Sequence, residues 1–395
     1  MDCKSCDGGR HIFCDLYRAG LIGIIGTDSV NGELVQEFPP VGDSLFLDGH
    51  ALPPSERYLI HPVLNDKIKS KNPQFTQGIS RNNIIGFDRP WHEPQTPTRG
   101  RVSTPHITFD HVDMAVLAIR EDEHRAILSS LGRGVPYPGA NRSYTIHTVQ
   151  HEDGNSIVVA VVRVPRPGPG KAQSTAHSAI EDLDPTWVIL QGIAGATPDN
   201  DYTLGDVIVG SHLHSFTVGA VKANGQIDFE DEGGHMTPRA EDLIALLPAL
   251  DAQMAGWESL EGRPVIDPSK ASLYGPDDWC ARVMSSLVAN KTRSAPIALM
   301  RGMACSPFLV KNTELLEQWR ESARDIAAVE MELAGVYEAA RHLNREYSVL
   351  AIRGISDIVG LDREDVWTRY AAKAAASYTA KLISQMPPHY FDRPA

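Results

Sequence analysis

The chain has few cysteines for its length, five in 395 residues, and no long apolar run. An odd number of thiols in a chain of this size argues against a disulfide framework and favours reduced, intracellular cysteines. No apolar stretch approaches the length of a membrane span, and the opening Met1-Asp2-Cys3-Lys4 lacks the apolar segment of a signal peptide. These absences predict a cytoplasmic protein without a membrane partner.

Positive charge is also scarce, because 37 Lys and Arg stand against 50 Asp and Glu, a formal net charge of -13. Such a surface repels phosphate backbones, so a nucleic-acid partner is not expected. The hydrophobic content of 42% and charged content of 22% are those of a globular protein with a sizeable core. A length of 395 residues favours two structural units.

The cysteines near the N-terminus leave two interpretations open. Cys3, Cys6, His11 and Cys14 could close a tetrahedral zinc site, or the thiols could be unligated. The short gap between His11 and Cys14 favours unligated thiols. The sequence therefore predicts no metal and no cofactor.

Residues 1–108 are predicted to form a small α+β module with a linker. An apolar stretch with helical spacing is followed by turn signals and by short strands at 34–38 and 44–47. A helix followed by a hairpin resembles a winged-helix-like adaptor. Because no basic recognition helix is visible, we expect this module to contact a protein partner, and a DNA-binding regulator is a lesser alternative.

Residues 109–395 alternate between apolar strands and helical segments. Strands are predicted at 111–119, 156–164, 186–191, 206–209, 297–300 and 347–353. This alternation predicts an α/β fold, with a mixed sheet covered by helices on both faces in three layers. A polar insertion at about 222–295 interrupts the pattern.

Two stretches place carboxylates at the ends of predicted strands. The run Val329-Glu330-Met331-Glu332 precedes a helix, and Arg353-Gly354-Ile355-Ser356-Asp357 follows a buried strand. Open α/β sheets bind ligands outside the carboxyl ends of their strands. Because alternate side chains of a strand point to opposite faces, only one of Glu330 and Glu332 is expected to face the site, and Glu330 is interpreted as structural.

Two glycine-rich turns lie between strands and helices. The first is Arg166-Pro167-Gly168-Pro169-Gly170-Lys171, where main-chain amides at a helix start favour an anion or a polar sugar. The second is Gln191-Gly192-Ile193-Ala194-Gly195-Ala196. Either turn alone is as often structural as functional.

Taken in order, these motifs resemble the nucleoside phosphorylase and purine nucleosidase superfamily, which includes the methylthioadenosine/S-adenosylhomocysteine nucleosidases. The resemblance covers about residues 110–388 and includes Leu204-Gly205-Asp206-Val207 and a helix start at 364–372. It implies a three-layer nucleoside phosphorylase-like fold, a purine nucleoside or nucleotide as ligand, and a homo-oligomer, either a dimer or a hexamer.

The resemblance also implies catalytic roles for three acids. Asp357 would protonate N7 of the departing purine, Glu332 would hold the ribose hydroxyls, and Glu123 would contact the attacking water. Asp122, one residue away, is the alternative for the water role. Such roles suit the reaction, because cleavage of an N-glycosidic bond builds positive charge on the sugar and negative charge on the base.

Substrate-binding roles follow for further residues. Ser356 would hydrogen-bond Asp357, Met331 would pack under the sugar, and Arg353 would orient the water or the carboxylates. The glycine-lined strand end contributes Ala194 and Gly195 to the substrate site.

A loop after the strand at 297–300 would contact the base. In relatives an acidic residue stands where this chain has Pro307, so the reading of the base edge is altered. Phe308 or Leu309 would stack on the purine, and the amide of Val310 would bind it.

The attacking group decides the reaction. Phosphorylases of this family usually carry an Arg and a Ser or Thr at positions that here are Leu190 and Ile193, neither of which binds phosphate. Water is therefore favoured, although Arg163, Arg166 or an arginine of a partner subunit could supply a cation. The 5′ end of the pocket is expected to be built from the insertion.

The predicted function is hydrolysis of the N-glycosidic bond of an adenine-type nucleoside or nucleotide. A nucleosidase joined to a non-enzymatic module suggests a nucleotide-depleting defence effector. The alternatives are a phosphate-dependent purine nucleoside phosphorylase and a nucleotide-sensing pseudoenzyme that signals through residues 1–108.

Overall fold

A computed structural model describes residues 111–223, 227–341 and 347–392, together with the backbone of four short strands before residue 53. The chain divides into two compact units, residues 1–107 and 108–395. In the first unit the strands form two antiparallel hairpins, β1 with β2 and β3 with β4. These strands are β1 Ile24–Thr27, β2 Leu34–Glu37, β3 Leu45–Leu47 and β4 His50–Leu52.

The strands expected at 34–38 and 44–47 coincide with β2 and β3. The expected helix of this unit and the group Cys3, Cys6, His11 and Cys14 lie outside the described residues. The winged-helix-like module therefore stays a prediction.

The second unit contains twelve strands within its described residues. They are β5 Met114–Ala118, β6 Gly134–Pro138, β7 Ser143–Gln150, β8 Ser156–Arg163, β9 Trp187–Ala196, β10 Val207–Ser215, β11 Val218–Val221, β12 Ile227–Glu230, β13 Gly234–His235, β14 Ala298–Cys305, β15 Ile326–Glu330 and β16 Ser348–Ile358.

Helices connect these strands. They are α1 Glu121–Ser130, α2 Pro169–Leu183, α3 Pro238–Leu246, α4 Asp251–Met254, α5 Asp277–Asn290, α6 Thr313–Ser322, α7 Leu333–Arg341 and α8 Asp365–Gln385, with short 3-10 helices at Leu247–Leu250, Pro268–Lys270 and Pro388–Tyr390.

Ten of the strands form one mixed sheet, in the order β13-β10-β14-β15-β9-β5-β8-β7-β6, and β16 pairs with both β9 and β10. The pairings β9–β16, β16–β10, β10–β14, β14–β15 and β15–β9 close a circuit of five strands. Closure of this kind brings strand ends from distant parts of the sequence to one rim.

The core lies where strands are covered on both faces. Every residue of β5 and β15 is buried, as expected for apolar strands packed between helices. Helix α8 contributes a buried face of small residues, including Ala371, Ala374 and Ala375, which lets it pack closely on β16.

The mixed α/β fold with helices around a central sheet is confirmed. The predicted strands at 111–119, 156–164, 186–191, 206–209, 297–300 and 347–353 all exist, although β9, β10, β14 and β16 run further than predicted. Strands β6 and β7 were not predicted, and the insertion contains more regular structure than expected. Within the described ranges, no helix is both long and apolar enough to cross a bilayer.

Candidate active site

The last residues of β9 form the floor of the candidate site. Gly195 of β9 pairs with Val329 of β15 on one side and with Asp357 of β16 on the other. Three strands therefore converge at this point, and each carries a predicted site residue on it or just after it. Gly192, Ala194 and Gly195 leave room for neighbouring side chains, and the main-chain N–H of Ile193 faces a carboxylate.

Glu123 is held by main-chain amides at the start of α1. Its Oε2 accepts hydrogen bonds from the N–H groups of Ile119 at 3.0 Å and Arg120 at 2.7 Å. Its Oε1 accepts a bond of 2.9 Å from the N–H of Ile193 in β9. These three bonds fix a carboxylate that is only 2% exposed and join α1 to the floor.

Arg353 is fully buried in the middle of β16 and gathers the other carboxylates. Its Nη2 donates to Glu332 Oε2 at 3.0 Å and also to Glu330 Oε2. Its Nη1 lies beside Gly192, where an added Cβ would collide with it and would stand 2.7 Å from Glu123 Oε1. A side chain at Gly192 would therefore separate Arg353 from Glu123.

The expectation that only one of Glu330 and Glu332 faces the site was wrong, because both carboxylates bind Arg353. Strand β15 ends at Glu330, and residues 331 and 332 form a bend, so strand alternation no longer applies to Glu332. Besides binding Arg353, Glu330 accepts hydrogen bonds from the N–H groups of Glu332 and Leu333, each at 3.0 Å. It thus caps the start of α7 while neutralising Arg353.

Glu332 lies between two anchors. Its Oε1 accepts a 3.0 Å hydrogen bond from the N–H of Gly168 in the first glycine-rich turn, and its Oε2 binds Arg353. Burial raises the pKa of Glu332 to about 7, and the neighbouring Glu330 carboxylate adds to this effect against the opposing charge of Arg353. Glu332 can therefore exchange a proton near neutral pH.

Burial has the opposite effect on the pKa of Arg353, because its charged form is the protonated one. Burial lowers its pKa, but the charges of Glu330, Glu332 and Glu123 outweigh burial and hold the pKa above its ordinary value. The guanidinium thus stays charged in a cluster that contains three carboxyl groups.

Asp357 forms the opposite side of the site. The hydroxyl of Ser356 lies 2.6 Å from Asp357 Oδ1 and 3.2 Å from the carbonyl oxygen of Ala194, which fixes the rotation of the carboxyl group. Oδ2 lies over Gly195, where an added Cβ would stand 3.2 Å away. The Asp357 side chain is 20% exposed, and the guanidinium of Arg363 lies 3.8 Å from Oδ1.

The structure thus brings most predicted site residues together. Glu123 and Arg353 contact residues 192 and 193 of β9, whereas Ser356 and Asp357 contact residues 194 and 195. Met331 is half-buried at the bend between the two glutamates.

The base-loop residues lie apart from this arrangement. Phe308 and Leu309 are 58% and 60% exposed, and Val310 is buried. They line a cavity of about 670 Å³ with Ile227 and Phe229, and none of Glu123, Glu332 and Asp357 is among its lining residues. Their role in binding a base stays a prediction.

Three participants were not predicted. Gly168 donates to Glu332, Gly192 leaves room for Arg353, and Glu330 binds Arg353. The glycine-rich turns were the available signal for the first two, because glycine permits close approach of a ligand or side chain. Across the described ranges, no group of three or more His, Cys, Asp and Glu is arranged to hold a metal ion.

Comparison with known proteins places this site in a family. The model of the phosphorylase superfamily matches residues 114–384, which contain every site residue described above. The ATP nucleosidase Cap17 of Escherichia coli strain KTE188 is 25% identical over 240 residues, 60% of this chain and 43% of the relative. This chain thus spans less than half the length of the curated relatives it matches.

Solved structures with similar folds are more distant in sequence. The methylthioadenosine/S-adenosylhomocysteine nucleosidase of Colwellia psychrerythraea, in complex with adenine, is 18% identical with a TM-score of 0.48, over 71% of this chain and 98% of that one. The futalosine hydrolase of Helicobacter pylori is 15% identical with a TM-score of 0.45, over 70% of this chain and 99% of that one. The family model covers well over half of the sequence, and on that match this chain belongs to the phosphorylase superfamily.

Proposed function

We propose that this chain hydrolyses the N-glycosidic bond of a purine nucleoside or nucleotide. The observation that supports the proposal best is that an acidic cluster and a separate aspartate both lie against residues 192–195. The Glu123–Arg353–Glu332 cluster touches residues 192 and 193, and Asp357 lies over Gly195. A glycosidic bond placed across this floor would have acids at both its base end and its sugar end.

At the base end, Asp357 would act as the general acid. The carboxyl group would deliver its proton to N7 of the purine, so that the base leaves as a neutral molecule. Ser356 holds Oδ1, while Oδ2 faces the open space over Gly195. Partial exposure of Asp357 lets solvent return the proton after each turnover.

At the sugar end, the carboxylates would stabilise the cationic ribose and activate water. Glu330 and Glu332 bind the one guanidinium, and the charge of Glu123 also acts on it, so the cluster carries excess negative charge where positive charge develops on C1′. Glu123, fixed by three amides, would accept a proton from the attacking water. Glu332 would bind the ribose hydroxyls.

Water is favoured over phosphate by the surroundings of Glu123. Leu190 is fully buried, and the amide of Ile193 already donates to Glu123. A phosphate ion at this end would face Glu123, Glu330 and Glu332, and the one guanidinium among them is already bound to two of these carboxylates. A phosphate ion in direct contact with these three carboxylates is therefore disfavoured.

The candidate substrates are adenine-type compounds. One curated relative is called an ATP nucleosidase, so ATP belongs in the first test beside AMP, adenosine and methylthioadenosine. We further propose that residues 1–107 contact a protein partner, and that the chain acts as a nucleotide-depleting defence effector. Assembly as a dimer or hexamer stays a prediction.

The test is to incubate the purified chain with each of these four compounds in phosphate-free buffer and to measure free base by chromatography. We expect adenine from at least one compound without phosphate. Adenine that appears only after phosphate is added would make the chain a phosphorylase, and unchanged substrate bound to the protein would favour the sensing alternative.

A further inference from the structure

Five arginines line one open cavity beside the candidate active site. The cavity has a volume of about 610 Å³, within the range of small-molecule sites. We call it the arginine cavity, and its charged lining residues are Arg120, Arg125, Arg163, Arg166, Arg369, Glu121 and Asp122. Five cations against two acids leave a local surplus of three positive charges in a chain whose net charge is -13.

The arginine cavity shares its wall with the reaction site. Ile119 and Arg120 line the cavity, and their main-chain amides are two of the three that hold Glu123. Pro167 also lines it and directly precedes Gly168, whose amide holds Glu332. The cavity therefore lies next to the proposed water and ribose positions.

Two of the arginines are already paired with the two acids. Arg120 makes two 2.9 Å hydrogen bonds to Asp122, and Arg125 pairs with Glu121. Arg163 is not paired with a carboxylate in the described part of the chain. Its Nε donates a hydrogen bond of 3.2 Å to the carbonyl oxygen of Ile119.

The remaining two arginines are available. Within the described part of the chain, neither Arg166 nor Arg369 makes a hydrogen bond or ion pair, and both are exposed. Three cations thus remain without an anionic partner in one cavity. Guanidinium groups bind phosphate oxygens in a two-pronged geometry, which makes phosphate the ligand chemistry that fits best.

We infer that the arginine cavity binds the 5′-phosphates of a nucleotide substrate, and that the chain prefers nucleoside di- or triphosphates to nucleosides. The inference rests on the proposed function for the position of the nucleoside. A single phosphate would leave much of the cavity and its positive charge unused. The insertion at 222–295, which the sequence suggested for this end of the pocket, contributes no residue to the cavity lining.

The test measures kcat/KM for adenosine, AMP, ADP and ATP. We compare the full chain with the double variant Arg166→Gln/Arg369→Gln, and with Arg324→Gln as a control, because Arg324 is another exposed arginine without a partner in the described ranges but lies outside the cavity. Two charge-assisted contacts predict a loss of about 100-fold or more for ATP in the double variant. For adenosine the double variant should stay within about twofold of the unmodified chain, since only phosphate contacts were removed.

Three results would overturn the inference. The first is an equal kcat/KM for all four compounds in the unmodified chain, and the second is an equal loss for all four in the double variant. The third is acceleration of adenosine cleavage by free phosphate that the double variant abolishes, because the cavity would then hold the attacking phosphate of a phosphorylase.

Binding is measured separately, so that the two proposals can fail independently. Inorganic tripolyphosphate is titrated calorimetrically into the unmodified chain, the double variant and Arg324→Gln. Binding that only the double variant loses supports the phosphate subsite even if no compound is hydrolysed, in which case the proposed hydrolysis alone is wrong. If the chain hydrolyses these compounds but neither binds tripolyphosphate nor prefers ATP to adenosine, the proposed phosphate subsite alone is wrong.

Discussion

At the residue scale, the buried guanidinium of Arg353 determines how its neighbours behave. A charge in the middle of a buried strand is costly unless it is paired, and here Glu330 and Glu332 both bind it. The pairing leaves the cluster with more carboxyl groups than cations. The excess is relieved in Glu332, whose pKa burial raises to about 7.

This raised pKa makes stability depend on pH. The ordinary pKa of a glutamate is 4.5, so between about pH 4.5 and 7 the folded chain binds a proton that the unfolded chain has lost. Stability therefore falls as pH rises through that window. The variant Glu332→Gln is neutral at every pH, and we expect its stability relative to the unmodified chain to rise by roughly 2 to 3 kcal/mol between pH 5 and pH 8.

Urea unfolding at the two pH values measures this difference. Glu261→Gln is the matched control, because Glu261 is exposed, and its effect should change by less than about 0.5 kcal/mol with pH. The account would be contradicted if the stability of Glu332→Gln relative to the unmodified chain were the same at both pH values, or if it were higher at pH 5 than at pH 8.

At the element scale, one glycine allows two helices to position the carboxylates. An added Cβ on Gly335 of α7 would collide with the carbonyl group of Pro169, the first residue of α2. The same contact region holds the amide of Gly168 against Glu332. The packing of α2 on α7 thus fixes the site as well as the fold.

We predict that Gly335→Ala destabilises the chain by about 1 to 3 kcal/mol through overpacking, and that it also lowers base release. Gly170→Ala is the control. Gly170 follows Pro169 in α2, and an added Cβ there meets nothing within 4 Å. That substitution should be neutral or stabilising by about 0.5 to 1 kcal/mol, since alanine suits a helix better than glycine. Equal effects of the two substitutions in urea unfolding would show that the helix contact is not the cause.

The elements also show how far the sequence could predict the structure. Apolar runs such as those of β5, β9 and β16 were predictable because both faces of these strands are buried. Strand β6 was missed because Gly134–Pro138 includes glycine and two prolines, which break strand patterns. The alternation argument for Glu330 and Glu332 failed because alternation holds only inside a strand, and the sequence did not reveal that β15 ends at Glu330.

The arginine cavity could not be predicted from the sequence. Arg120, Arg163 and Arg369 belong to three separate segments, and only the sheet order and the packing of α8 on α1 bring them together. Arg163 and Arg166 were candidates for a cation near the attacking group, but the sequence did not indicate that Arg120, Arg125 and Arg369 lie beside them.

At the scale of the whole molecule, the chain is two units with the proposed chemistry in one of them. All residues of the candidate site and of the arginine cavity lie between 119 and 369, within the unit 108–395. The sequence predicts a linker within residues 1–108, and linkers are preferred sites of proteolytic cleavage. Limited trypsin digestion should therefore cut in this predicted linker and release a stable C-terminal fragment that contains residues 111–392.

Mass spectrometry identifies the fragment, and its base-release rate is compared with that of the intact chain. We expect the rates to agree within about threefold, because no site residue is lost. A stable fragment without activity would show that residues 1–107 are needed for catalysis, and early cuts throughout 111–392 would contradict the division into units.

The most direct test of the central claim compares two leaving groups in Asp357→Ala. A natural purine needs a proton at N7, whereas an N7-methylated purine already carries the positive charge and leaves without one. If Asp357 is the general acid, the variant should lose about 10² to 10⁴-fold in hydrolysis of the natural nucleotide. Its rate on the N7-methylated form should stay within about tenfold of the unmodified chain. Equal losses on both substrates, or no loss on either, would contradict the account.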